Sequence, residues 1–311
     1  MLNVVRLRVL RELHRRKTLS AVAVAMAYST SAVSQQIRLL EKEIGVPLVE
    51  PVGRRLQLTP QGLILVEHTD RLLELLEIAE ADVSSSMTQP RGTIRVAAFQ
   101  TAAAMLLPRA LGYLKEEHPQ LSVVFEQGEP EVTLPALVSS EYHLVIAESY
   151  PEMPLPIIEG ISVESILDDP LWLAVGGELR NELDPHLDIL PQLHQMPWAA
   201  EPTGSASRLW ITRECRKSGF EPLVTCSSED VSVQLQFVEA GLAVAALPGL
   251  ALDRASPDVG RYPMHPSGSH RSILLATRAA TQRNPGITAV AVALKRAAFE
   301  WGSIAGYENS A

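Results

Sequence analysis

Residues 29–45 read STSAVSQQIRLLEKEIG, and the folding of this stretch decides how the rest of the chain is organised. Val33, Ile37, Leu40 and Ile44 recur at i, i+4, i+7 and i+11, which is one face of an α-helix. Ser31, Ser34, Gln35, Arg38 and Lys42 occupy the other face. That face carries the hydroxyl, amide and guanidinium groups that read base edges and phosphates in a major groove. Gly45 stops the helix. By itself the stretch reads equally as an amphipathic helix with a solvated face. Its neighbours decide between the two readings.

On the N-terminal side, Leu2 to Arg16 predicts a first helix and Leu19 to Ala27 a second, short and alanine-rich, whose small side chains admit close packing. Tyr28-Ser29-Thr30 is the turn. Two helices joined this way, the second with a polar outer face, make a helix-turn-helix. On the C-terminal side, Val46 to Leu58 holds Pro47, Pro51, Gly53, Arg54-Arg55 and the alternating Leu56-Gln57-Leu58. This predicts a small β wing with two cations at its tip, suited to phosphates or the minor groove.

Thr59-Pro60 supplies an N-cap hydroxyl and a proline at the first helical position. The helix they start runs to about Ser84, with Leu65, Leu72 and Ala79 alternating with Thr69, Leu76 and Val83 in a seven-residue repeat. One copy of that seam buries little, so it pairs with another protomer or packs onto its own domain. Ser84-Ser85-Ser86 through Pro90-Arg91-Gly92 is a polar, breaker-rich hinge.

From Thr93 strands and helices alternate, the sign of parallel α/β layers. TIRVAAF, LSVVFEQ and HLVIAE are strands, separated by helices at Leu107 to Glu117 and Pro130 to Ser140. After a proline-rich crossing at Pro151 to Pro156, LWLAV opens a second set. It continues through helix Ser205 to Gly219, LVTCS, helix Glu229 to Ala240 and LAVAAL. RSILLATR and helix Gly286 to Glu300 rejoin the first set. Two such lobes joined by two crossing strands enclose a cleft, the default ligand site.

The expected division is a DNA-binding winged helix-turn-helix at 1–59 and a linker helix and hinge at 60–90. An α/β effector-binding domain at 91–311 follows, with lobe one at 91–163 and 265–301 and lobe two at 164–264. A chain of 311 residues accommodates this. Its overall charge of −9 conceals an asymmetry: residues 1–60 hold 10 Lys and Arg against 4 Asp and Glu, net +6, and the remainder is net −15. Polyanion binding therefore belongs to the N-terminus.

Cys215 and Cys226 are too few for a disulfide framework, which fits a reducing cytoplasm, and read as buried bystanders. The eight histidines have no ligand spacing, so no metal is expected. Arg15-Arg16-Lys17, the apolar LSAVAVAMA and small residues to Ala32 have the order of a secretory signal, although the preceding residues pattern as an amphipathic helix. No run has the length of a membrane span.

With wing and hinge in place, Thr18 to Gly62, TLSAVAVAMAYSTSAVSQQIRLLEKEIGVPLVEPVGRRLQLTPQG, resembles the winged helix-turn-helix of LysR-type transcriptional regulators. GTIRVAAFQTAAAMLLPRAL, CRKSGFEP and SSEDVSVQLQFVEAGLAVAALP resemble that family's two-lobed effector domain, whose fold is like that of periplasmic binding proteins. The resemblance covers nearly the whole chain. It departs at Val49 and Pro51, where the family usually has Phe and Arg, and at Glu141-Tyr142-His143, where it usually ends a strand on Gly and Asp. The histidine there reads as structural.

Thr30, Ser31 and Ser34 are expected on phosphates at the helix start, Gln35 and Arg38 on base edges, and Arg54 and Arg55 on the backbone. Lys42, farther along, touches the backbone only. For the effector, the loops after successive strands supply Gln100, Thr101, Gln127, Gly128, Glu129, Glu148, Thr203, Gly204, Ser205 and, across the cleft, Pro248. Helix starts and hydroxyls there favour a carboxylate, as the resemblance also implies. Glu129, Glu148 and Glu201, with no arginine in these loops, favour an amine, so an amino-acid derivative suits both signs. Ordinary turn chemistry is the competing account of each loop residue.

The expected function is a cytoplasmic, effector-responsive DNA-binding regulator acting on an inverted repeat as a dimer, which the resemblance extends to a tetramer. A secreted solute-binding protein is the alternative. An enzyme is not expected, and no cofactor: there is no G-x-S-x-G elbow, G-x-G-x-x-G loop or P-loop, and Ser205 lacks flanking glycines and a base.

Overall fold

The computed structural model describes residues 2–305 except 53–54, 86–89, 185, 254 and 266–267. The chain forms two compact units, Met1–Val83 and Ser84–Ala311. In the first, α1 (Val4–Arg16), α2 (Leu19–Ala25) and α3 (Thr30–Ile44) precede a hairpin of β1 (Val49–Val52) and β2 (Arg55–Leu58), and α4 (Pro60–Ser85) follows. Each of the first three helices begins on a side-chain cap: Asn3 accepts from Val5 N, Thr18 from Ala21 N and Ser29 from Ala32 N. Gly45 ends α3 at φ +84°, a left-handed conformation that costs glycine nothing.

The stripe Val33, Ile37 and Leu40 is buried against Val9, Leu13 and Val22 on one side and Leu7, Leu10, Leu48 and Val66 on the other. These contacts make the helix-turn-helix and seat the wing on it. Thr59 joins the two by donating its hydroxyl to Pro47 O (2.9 Å) while accepting from Gly62 N (3.1 Å) at the start of α4.

The second unit opens with β3 (Gly92–Ala98), α5 (Gln100–Met105), α6 (Leu107–Glu117), β4 (Leu121–Gln127), α7 (Pro130–Val138) and β5 (Leu144–Ser149). β3 pairs in parallel with β4 and β5. One face of this sheet packs on α6 and the final helix α12 (Pro285–Ala305) through Ile94, Val96, Leu106, Val290 and Trp301. The other packs on α7 through Ala97, Leu134, Leu137, Val145 and Ala147. Burial on both faces explains why LVIA in β5 is apolar without alternation.

β6 (Ile161–Val175) is a single long strand. Ile161 to Pro170 pairs with β11 (His270–Arg278), and Leu171 to Val175 pairs with β9 (Ala245–Pro248) and β10 (Gly260–Pro263). The passage between lobes thus lies inside β6 and at the start of β11, whereas the proline-rich stretch read as the crossing touches both lobes, Leu155 packing near α7 and Pro151 and Glu152 meeting Arg213 of lobe two. β11 is antiparallel to both β5 and β6, so the layers are mixed rather than wholly parallel. Lobe two is completed by α8 (Ile189–Gln192), the parallel pair β7 (Pro197–Ala200) and β8 (Leu223–Ser227), α9 (Ala206–Lys217), α10 (Val231–Glu239) and α11 (Gly249–Leu252). Its cores gather round Trp198 and Trp210, and round Val238 and Leu247. Cys215 lies in the first and Cys226 in the second, and burial pushes the Cys215 thiol up to about 12, away from thiolate chemistry.

Candidate DNA-binding face and ligand cavity

On α3, Ser31, Gln35, Arg38 and Lys42 lie along one exposed side and, with Ser29, line a shallow surface hollow. Thr30 is exposed in the first turn, with the hydroxyls of Ser29 and Ser31 bonded to each other at 2.9 Å. Ser34 is half-buried and is not among the hollow's lining residues. The two acids nearest the helix end point elsewhere. Glu41 accepts from Leu48 N (2.8 Å) and Val49 N (3.2 Å), fixing the entry to the wing, and Glu43 pairs with Arg6. The exposed side therefore keeps a positive character. Arg54 lies outside the described residues, and Arg55 opens β2 opposite Val52. Val49 and Pro51 stand opposite Leu58 and Leu56 in the hairpin.

In the second unit a cavity of about 740 Å³ lies between the β4–α7 turn, residues 153–158 and the loop after β7. It brings together Gln127, Gly128, Glu129, Glu148, Thr203 and Ser205 from the expected set. Gly204, at φ +105°, makes the turn between the last two without lining the cavity. Pro248 is buried in β9 opposite Leu171 and is no part of it, because β9 is an inner strand of lobe two. Glu131, Val132, Met153, Leu155, Ile158 and Glu229 also line the cavity; sequence reading missed them because they lie a helical turn or a loop beyond the strand ends.

Gln100 and Thr101 line a second, smaller hollow of about 290 Å³ and have structural partners. Gln100, at the start of α5 in lobe one, reaches α10 in lobe two: its Nε2 donates to Asp230 Oδ1 (2.6 Å) and its Oε1 accepts from Val231 N (2.8 Å). That contact holds the Asp230 carboxyl below its usual range, with Ser232 assisting. Thr101 is buried, and its hydroxyl accepts from Arg271 Nη2 at 2.6 Å.

Arg271 is the residue that the loop-based reading missed. It sits in β11 opposite Asp169 of β6, donates twice to Asp169 Oδ2 (3.0 and 2.7 Å), and donates to Glu148 as well. The ring of Phe99 lies 5.1 Å from its guanidinium carbon. Burial opposes its charge, and Glu148 and Asp169 hold it in place. The one available signal was an arginine two residues before the apolar run Ile273 to Ala276 of its strand.

Two cavity carboxyls titrate near neutrality. Burial, then the charge of Glu148, raises Glu201 to about 7, against the opposing hydrogen bond from Ser205. Partial burial, then Glu148, Glu201 and Glu131 in turn, raises Glu129 to about 7, although part of its surface stays open. Among the described residues no cluster of His, Cys, Asp and Glu is arranged to hold a metal. His143, beside the departure in sequence, has a structural part: its Nδ1 accepts from Arg95 N at 2.8 Å.

Residues 4–63 match the family described as a bacterial regulatory helix-turn-helix protein, lysR family, and residues 88–298 match the LysR substrate binding domain. The transcriptional dual regulator GltC of Bacillus subtilis (strain 168) is 26% identical over 252 residues, covering 81% of this chain and 82% of GltC. The HTH-type transcriptional regulator TfdS of Cupriavidus pinatubonensis (strain JMP 134 / LMG 1197) is 30% identical over 235 residues, 73% and 76% of the respective chains. A full-length OxyR variant from Pseudomonas aeruginosa shares the fold with a TM-score of 0.68 at 20% identity, over 95% of each chain.

The two units thus define a DNA-binding regulator with a ligand-binding module. The chain belongs to the LysR family of transcriptional regulators, with an N-terminal winged helix-turn-helix and a C-terminal two-lobed effector-binding domain. The apolar run with the order of a secretory signal is α2, whose Val22 and Ala23 are core residues of the helix-turn-helix. That placement, within the residues matched to the family, replaces the secreted solute-binding alternative. Among the described residues no helix is long and apolar enough to cross a membrane.

Proposed function

We propose that this chain acts in the cytoplasm as a homo-oligomeric, sequence-specific regulator whose small-molecule effector occupies the 740 Å³ cavity, bound but not chemically transformed. The exposed side of α3 carries the reading: it pairs a groove-sized helix with base-reading side chains in the position the family uses. Gln35 and Arg38 read base edges, each good pair being worth about 1–3 kcal/mol of discrimination. Thr30, Ser31 and Ser34 hold phosphates, and Arg54 and Arg55 add backbone contacts, each about one unit of salt slope. Residues 1–59 bind DNA, 60–90 link, and 91–311 sense.

The linker seam supports self-association. Leu72, Leu76 and Val83 of α4 are exposed, while Thr69 turns inward with Val66 and Leu73. A second copy covering Leu72 and Leu76 makes the dimer, and effector domains join two dimers into a tetramer. A symmetric dimer places recognition helices on half-sites about 34–36 Å apart. The effector is a small carboxylate or, better matched to the glutamates, an amine-bearing amino-acid derivative.

The test is sequencing of genomic fragments retained by the full-length protein near physiological salt, beside an Arg38→Ala/Gln35→Ala variant. A short inverted repeat enriched by the native chain and lost in the variant is expected. Equal retention without a shared sequence overturns the reading.

A further inference from the structure

The effector cavity has one-sided chemistry. Among the described residues its ionisable lining is Glu129, Glu131, Glu148, Glu201 and Glu229, with no Lys, Arg or His. Arg271 and Arg208 are cations near it, yet the donors of Arg271 are spent on Asp169, Glu148 and Thr101, and Arg208 Nη1 donates to the Glu201 carbonyl (3.3 Å). The single charge of Arg271 is shared between Asp169 and Glu148, so this buried group holds one more carboxyl than cation. The rest of the wall is mostly apolar, formed by Met153, Leu155, Ile158, Val132 and Leu134 with several prolines, and its neutral polar side chains are Gln127, Thr203 and Ser205. An anion entering this space meets five carboxyls and, among the described lining residues, no counter-ion.

We infer that the ligand of this cavity is a small organic cation on an apolar body. The ammonium or amidinium head sits among Glu129, Glu148 and Glu201, and the body lies along Met153, Leu155 and Ile158. The inference rests on the cavity being the effector site and narrows the two ligand chemistries above to one. A ligand carboxylate would meet only the neutral donors Gln127, Thr203 and Ser205 among the described lining side chains, against five glutamates.

Binding is coupled to protons. Glu129 and Glu201 are both raised to about 7, so they exchange protons near neutral pH. A cation favours their ionised forms, so its entry expels protons and its affinity rises as pH rises through 7, then levels off. The groups that set this balance are Glu129 and Glu131 at the start of α7, Glu148 from β5, Tyr150 just after it, and Asp169 from β6. Facing them are Glu201 after β7, Arg208 in α9, Glu229 before α10 and Arg271 from β11.

The experiment is calorimetric titration of the full-length protein with hexylamine, phenethylamine and hexyltrimethylammonium, against hexanoate and phenylacetate, at about pH 6 and about pH 8. At least one cation is expected to bind with Kd of about 1 mM or tighter at the higher pH, and neither anion. Affinity should fall about tenfold at the lower pH for each carboxylate that must ionise. The quaternary probe cannot titrate, so the same dependence with it assigns the protons to the protein. Glu201→Gln or Glu129→Gln, which keep shape and remove charge, should each weaken the cation about tenfold and flatten the pH response.

Anions binding more tightly than cations, no cation binding, or cation affinities unchanged in both variants would each overturn the inference. Retention of the inverted repeat is measured on the same preparations. Intact retention without cation binding removes the ligand class and leaves the regulator, whereas loss of retention by the native chain removes the regulator itself.

Discussion

At Arg271 a single side chain decides whether the effector domain's centre is a satisfied network or a buried charge cluster. Only 2% of it is exposed, with Asp169 and Glu148 at 0% and 8%. Replacing it with leucine strands two carboxyls, a loss of about 3–5 kcal/mol for a broken buried pair. Arg271→Leu should therefore lower the unfolding free energy of the C-terminal unit by that amount, read by denaturant titration of the full chain. Burial raises both acids and Arg271 lowers them, so its removal raises them further. A folded-state pKa above the unfolded value costs stability as pH rises. The deficit should accordingly be larger at pH 8 than at pH 5, and a pH-independent deficit would contradict the network. Sequence reading placed Glu148 correctly at a strand end and Glu129, Glu148 and Glu201 in one neighbourhood. It missed Arg271 because cross-strand register, which sets Arg271 against Asp169, joins positions about a hundred residues apart.

At the scale of elements, Gly62 shows how closely α4 abuts the wing. A Cβ built there would lie 2.3 Å from Leu48 O, a backbone atom that also accepts from Thr59 N (3.0 Å). Gly62→Ala must push α4 away from the wing, at a cost of about 1–3 kcal/mol for overpacking. The expected result is a less stable N-terminal unit and weaker DNA retention. Gln61→Ala, on the exposed side, should match the native protein in both; comparable stabilities of the two variants would mean α4 yields without disturbing the wing. The helices were the legible elements, since caps and periodicity are local: Ser29 to Gly45 and Thr59-Pro60 mark real ends. The short helix α5 and the continuity of β6 were not legible. A strand serving two lobes changes its partners midway, and nothing in its own residues marks the exchange.

For the effector-binding domain as a whole, the two lobes are tied across the cleft by Gln100. Its amide donates to the Asp230 carboxylate and accepts the first N–H of α10, so one neutral side chain caps a helix belonging to the opposite lobe. A sensor needs two arrangements that the ligand binds unequally, and an intramolecular tie of this kind sets the resting balance between them. A charge-assisted and a neutral hydrogen bond together contribute about 2–4 kcal/mol to the tied state. In Gln100→Ala the Val231 amide has no acceptor from lobe one and the lobes separate more readily. Hydrogen exchange at Val231 and Ser232 should then quicken by at least about tenfold, the factor that 1.4 kcal/mol provides, with β5 amides unchanged. Unaltered exchange at Val231 would mean that Gln100 follows the lobes without holding them. If the tie does set the balance, the same variant shifts the cation dose at which retention of the inverted repeat responds, because less ligand energy is spent in breaking it. That shift, measured beside the exchange, separates a tie that sets the response from one that merely shields an amide.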